Sequence, residues 1–277
     1  MKYPVDVLTS VDPESLEQSA KDYMSKLLHR NPEKPEYLSI PGSEKIEIGL
    51  CNVGFVPLHG ANIKYKVLAL FLPEENSKAV GLYLLDHWWS AEDILKTADP
   101  TRTGLLEVKT TGERIVLYVL NRIIYRTKEK ADCDVKFLCH EKDEFAKILW
   151  KNGEAVGFYS VKPEGTLCSH YLTMCYDLPI MDTIFVRKCH RSNGYGLQML
   201  EDFVWNFKND CIGLQCPLSP AMYKVCEKYL NLHPQDTNLL WETNGTGCSF
   251  QRSQIARKLQ AMDLNSKQLI KFFRYKN

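Results

Sequence analysis

Arg191-Ser192-Asn193-Gly194-Tyr195-Gly196 begins five residues after a strand-like run that closes with Ile184, Phe185 and Val186. β-Branched and aromatic residues without a breaker predict the end of a buried strand there. Leu197, Leu200, Val204 and Phe207 then recur at helical spacing, so the glycines stand at a strand–turn–helix junction. The chemistry such a junction offers is anion binding. The first turn of a helix leaves its amides without intrahelical partners. Gly194 and Gly196 lack a Cβ, so an oxygen-rich ligand can come close. Arg191 and the helix dipole add positive charge. Ser192 to Gly196 is therefore predicted to cradle a pyrophosphate. His190 and His170 are acid–base candidates by residue type.

Arg191-x-x-Gly194-x-Gly196 at a strand end resembles the acetyl-CoA signature of the GNAT superfamily of N-acetyltransferases. That signature reads Gln/Arg-x-x-Gly-x-Gly/Ala between the fourth strand and third helix of that fold. The resemblance covers roughly residues 143–242, and its specificity lies in the turn. It implies acetyl-CoA as co-substrate, no metal, and transfer of acetyl to a primary amine. The diphosphate would lie on Arg191, Ser192, Asn193, Gly194, Tyr195 and Gly196. The pantetheine arm would follow the backbone of Phe185, Val186 and Arg187, where the fourth and fifth strands splay.

The resemblance also assigns acid–base roles. Asp182 stands at the strand position where protein lysine acetyltransferases of that superfamily carry a general-base Glu; being one methylene shorter, it would relay the proton through water. Its alternative is an Asp bonded to a neighbouring loop amide. Tyr223 falls where many members carry a Tyr that protonates the departing thiolate. This chain departs from the pattern there, with Ser219 in place of an Ala and no Gly-Phe after the helix. Tyr223 as a core aromatic, and the whole fold as a catalytically inactive scaffold, are the corresponding alternatives. Over its full length the chain is similar to the short form of a vertebrate family that includes the soluble lamin-associated protein. That similarity implies an intracellular setting, cytoplasmic or nuclear, the nuclear lamina as a partner, and a protein lysine or N-terminal amine as acceptor.

Composition narrows the classes. At 277 residues, with 35 basic against 34 acidic side chains, the chain is long enough for a substantial core and too balanced for a general nucleic-acid binder. Pro4 and Asp6 interrupt the first ten residues, so no secretory signal is expected, and no apolar run is long enough to span a membrane. The ten cysteines are scattered without a Cys-x-x-Cys pair and are expected to be reduced. Cys133, Cys139 and His140 fit no common zinc spacing.

The elements that must position these residues can be read in order. Asp12-Pro13 caps a helix over Leu16, Ala20, Tyr23 and Leu27, which Asn31-Pro32 ends. Residues 33–42 read as a loop, and Ile46, Ile48 and Leu50 as a half-exposed strand. Ile63–Leu72 and Ala79–Leu85 form a hairpin across Pro73–Lys78, and Ser90 caps a short helix with Asp93 three residues on. Leu105–Lys109 and Ile115–Tyr125 flank Thr111-Gly112 as a second hairpin, although the latter run also suits a helix. Asn152-Gly153 is the strongest hairpin signal, between Phe145–Trp150 and Ala155–Val161. Leu167–Pro179 connects to the cradle strand; Ile212–Cys216 and Leu239–Glu242 supply later strands, and Ser219-Pro220 opens the helix that bears Tyr223. The chain ends in a basic amphipathic segment expected to dock its apolar face. The fold class is α/β (α+β), a GNAT-like, mostly antiparallel mixed sheet flanked by helices. Residues 1–130 are expected to form a strand-rich N-terminal lobe or an elaborated half of the same domain, 131–250 the acetyl-CoA-binding domain that the resemblance implies, and 251–277 a basic amphipathic C-terminal helical segment.

Overall fold

The helix expected behind Asp12-Pro13 forms over Pro13–Leu28, with the Asp12 carboxylate accepting from Glu14 N–H at 3.1 Å. It is the second helix (α2); a single turn at Pro4–Val7 precedes it (α1). The computed structural model describes residues 2–31, 34–40, 45–60, 62–130, 137–168, 171–207 and 209–274, and the backbone alone at 62, 63, 76, 77, 171, 172 and 265–274. The chain divides into two compact units, residues 1–158 with 185–190, and residues 159–184 with 191–277. Both are mixed α/β; pairing in the first is antiparallel, whereas the second combines parallel and antiparallel pairs.

In the first unit, β1 (Glu36–Leu38) pairs antiparallel with β2 (Ile46–Ile48), so part of the expected loop at 33–42 is a strand. Leu38 and Ile48 explain why: both bury their side chains against Leu70 and Val80. A four-stranded antiparallel sheet follows, β3 (Val53–His59), β4 (Asn62–Leu72), β5 (Glu75–Leu84) and β6 (His87–Ser90), in that order. The β4–β5 hairpin pairs as far as Leu72↔Glu75, tighter than the sequence suggested. Ser90 caps α3 (Ala91–Ile94), its hydroxyl accepting from Asp93 N–H at 3.1 Å.

After β7 (Gly104–Glu107) the chain turns into helix, which decides the ambiguity at Ile115–Tyr125 against a hairpin. Thr110 and Glu113 form a capping box at the start of α4 (Thr111–Tyr118), and wider, π-helical turns carry it on over Val119–Glu129. Ile115, Val116, Leu120, Ile123 and Ile124 bury one face in the core of this unit. Next come β8 (Phe145–Lys151) and β9 (Glu154–Lys162), turned at Asn152 and Gly153 with φ of 50° and 80°. Two successive left-handed residues are what a two-residue hairpin turn requires.

The second unit holds the rest of β9, then β10 (Leu167–Cys168), which pairs with β11 (Tyr171–Cys175), and β12 (Ile180–Val186) as far as Ile184. After α5 (Tyr195–Asn206) come β13 (Ile212–Gln215), α6 (Pro220–Leu232), β14 (Leu240–Thr243), β15 (Arg252–Gln254) and α7 (Ile255–Arg274). The sheet order within this unit is β15-β14-β13-β12-β9, with β12–β13 and β13–β14 parallel and β14–β15 antiparallel. α5 buries Met199, Leu200 and Phe203, so its core stripe is centred one residue away from the Leu197–Val204 line read in the sequence. Among the described residues no helix is long and apolar enough to cross a membrane.

Candidate functional site

Strand, turn and helix meet as the residue pattern requires. A short 3-10 turn at Lys188–His190 follows β12, and Ser192 and Gly194 both take left-handed backbone, φ 65° and 80°. Gly194 is the N-cap of α5, and its carbonyl accepts the first helical bond, from Gln198 N–H at 3.0 Å. Amides ahead of Gln198 have no carbonyl four residues back within the helix, so the helix opens on a run of donors. Residues 191–194 are exposed and Tyr195 and Gly196 half-buried. The Asn193 side-chain amide donates to Arg191 O at 3.3 Å, closing the turn on itself.

The two glycines serve different ends. A Cβ on Gly194 would meet nothing within 4 Å, so what demands glycine there is the left-handed φ beside open space. A Cβ on Gly196 would stand 3.2 Å from Cγ2 of Val225. Its missing side chain therefore lets α5 approach α6, which corrects the expectation that both glycines open the turn to a ligand.

The β12–β13 ladder contains only two register pairs, Ile180↔Gly213 and Met181↔Leu214, whereas β13 continues along β14 to Gln215↔Thr243. Asp182 is the first residue past the last of those pairs. It is half-buried and shares a strand face with Ile180 and Ile184; Thr183, on the other face, bonds Ser160 through their hydroxyls at 2.8 Å.

Tyr223 is held tightly. It lies half-buried on α6, which Ser219 caps by accepting from Met222 N–H at 3.2 Å. Its hydroxyl donates to Glu242 Oε2 at 2.7 Å. Burial, and then the bond to Glu242, push the phenol well above its usual range. Burial alone would raise Glu242, but the ammonium of Lys258 with the donors of Tyr223 and Leu218 holds its carboxyl below the usual value. The sequence reading missed Glu242 and Lys258. A charged residue inside a predicted buried strand was the available signal, because such a group needs compensating partners.

Phe185, Val186 and Arg187 belong to the first unit. Phe185 is buried edge-on against Tyr125, with ring centres 5.2 Å apart. Arg187 N–H donates to Val156 O at 3.0 Å, and Arg187 O accepts from His190 N–H at 2.9 Å. Both backbone groups of Arg187 are therefore already used, which corrects the assignment of Arg187 to pantetheine. The Arg187 guanidinium is buried too, paired with Glu92 at 2.7 Å and Glu154 at 2.6 Å. His190 is half-buried, with Nε2 3.8 Å from Glu154. His170 and Cys133 fall outside the described residues. His140 is buried beside Asn121, and among the described residues no group of three or more His, Cys, Asp or Glu could hold a metal ion.

Fold and site together define a mixed α/β protein with a glycine-capped strand–turn–helix junction. The chain belongs to the vertebrate FAM169 family. It is 41% identical over 248 residues to the mouse (Mus musculus) protein named Protein FAM169B, a match covering 88% of this chain and 73% of that one. It is also 46% identical over 123 residues to the human (Homo sapiens) protein named Protein FAM169BP, covering 43% of this chain and 64% of that one. No protein-family model and no solved structure matches the chain.

Proposed function

We propose that this chain is an acetyl-CoA-dependent N-acetyltransferase acting on a primary amine, a protein lysine or an N-terminal amine. The observation that carries the reading is the junction at Ser192–Gly196: two left-handed residues, an open Gly194 and the start of α5. Anions are favoured where helix amides and the helix dipole converge on open space.

When bound, acetyl-CoA supplies an acyl group activated as a thioester. In this reading Ser192, Asn193, Gly194 and Tyr195 hold its diphosphate and Arg191 adds charge. Asp182 takes the proton lost by the attacking amine, directly or through one water, as the C–S bond gives way to a C–N bond. The departing thiolate takes a proton from water, and Asp182 returns to solvent the proton it took from the amine, so the step balances. An intracellular setting and a lamina-associated partner belong to the same proposal.

One observation favours a second reading, an inactive fold of the same build serving as a scaffold at the nuclear lamina. The Tyr223 hydrogen is engaged by Glu242, so the residue expected to protonate the thiolate is not poised to do so. Asp182→Asn separates the two. An active enzyme should lose roughly a hundredfold in thiol release from acetyl-CoA plus a lysine peptide, at unchanged acetyl-CoA affinity. An unchanged rate would remove Asp182 from the base role, and no turnover by the unaltered protein despite tight binding would favour the scaffold.

A further inference from the structure

Glu242 is a carboxylate set in the middle of packed protein, 5% exposed on β14. Burying such a charge costs several kcal/mol unless partners surround it. Three donors do so, each from a different segment. Tyr223 OH of α6 reaches Oε2 at 2.7 Å, Leu218 N–H reaches Oε1 at 3.1 Å, and the Lys258 ammonium of α7 pairs with Oε2. All of these groups lie in the second unit, with Asp182 and the Gly194 turn.

The direction of the Tyr223 bond has a chemical consequence. A phenol carries one hydrogen and two acceptor lone pairs. With that hydrogen given to Glu242, the oxygen can only accept from whatever else approaches it. We propose that Glu242 is a positioning residue which, by holding the Tyr223 hydrogen, presents the phenol oxygen as a hydrogen-bond acceptor for the N–H of the substrate amine. This inference rests on the acetyltransferase reading and gives Tyr223 amine recognition in place of thiolate protonation. The charge balance agrees: Lys258 neutralises Glu242, so the pair adds no net charge of its own behind Tyr223. The titration behaviour agrees too. The titratable groups that face the phenol are Glu242, Cys216 after β13 and Cys226 on α6, with Lys258 behind Glu242. Burial and that carboxylate raise the phenol far above a thiol, whose pKa is about 8.5, so it would give its proton to a thiolate poorly.

Two measurements on the full chain test the proposal. The first is phenolate absorbance against pH for the unaltered protein, Glu242→Gln, Lys258→Met and Tyr223→Phe, the last isolating the Tyr223 step. Glu242→Gln should move that step down by a pH unit or more, roughly, as the anionic partner is lost; an unmoved step overturns the contact. The second is steady-state kinetics with a lysine peptide. Tyr223→Phe and Glu242→Gln should raise the peptide KM roughly tenfold, leaving kcat and acetyl-CoA affinity within about twofold. Lys258→Met, which leaves the buried partners in place, should move the peptide KM the same way by less. A fall in kcat at constant KM would make Tyr223 the thiolate's acid and overturn the proposal, as would unchanged kinetics in all three variants. A protein that shows the tyrosine shift but never binds acetyl-CoA would keep the Tyr223–Glu242 contact and sink the transferase reading, and the amine role with it.

Discussion

Arg187 and Gly194 lie within one stretch of chain and meet opposite surroundings. In the first unit the Arg187 guanidinium is buried and closed off by Glu92 and Glu154, with Lys128 completing the set through Glu92 at 3.2 Å. In the second unit Gly194 faces open space at the head of a helix. The contrast separates charge that builds a fold from charge that, in the proposed reading, receives a ligand. A buried cation already matched by carboxylates has nothing left to offer an anion. An open helix start has donors and dipole to offer and little packing to lose.

The sharpest way to break that contrast is Arg187→Met. Removing the buried cation strands two half-exposed carboxylates and loses the packing of its stem, so urea unfolding should show a loss of about 3 kcal/mol. A loss below about 1 kcal/mol, the range of an exposed pair, would mean that water screens these pairs.

Acid provides the next largest effect. His59 is buried, and that burial, with Arg114 and Lys142 nearby, holds its imidazole down to about 4 from a usual 6.5. The folded form therefore binds fewer protons than the unfolded one below the usual value. The stabilisation is complete above pH 6.5 and is lost as pH falls towards 4. Between pH 6.5 and 4.5 the loss should be about 2 kcal/mol, and His59→Gln should remove that slope. An equal slope in the variant would assign it to other groups.

The smallest effect belongs to the open side. Gly194→Ala meets no neighbour, so its cost should be conformational alone, about 1 kcal/mol for a left-handed alanine. A much larger loss would mean that the space around Gly194 is filled.

Much of this was legible in the residues. The caps at Asp12, Ser90 and Ser219, the Asn152-Gly153 turn and the β12–turn–α5 junction are local signals, and each formed where its side chains dictated. What escaped notice depends on distant partners. β1 exists because Leu38 reaches Leu70 and Val80. The Ile115–Tyr125 run is a helix because Thr110 and Glu113 cap it and one face meets the core. Within the site, Gly194 and Gly196 look alike in sequence, yet only the position of Val225 reveals that the second is there for helix packing. Glu242, the partner of Tyr223, and Lys258, the partner of Glu242, likewise come from elements further along the chain.

The most direct test of the account is thermal unfolding of the full chain with and without acetyl-CoA, alongside Gly194→Glu. A ligand that binds only the folded state at a hundredfold excess over Kd adds about 2.7 kcal/mol of apparent stability. The unaltered protein should show that gain, and Gly194→Glu, with a carboxylate set at the phosphate position, should not. Equal gains in both proteins, or none in the unaltered one, would contradict the anion-cradle assignment and the acetyltransferase reading built on it.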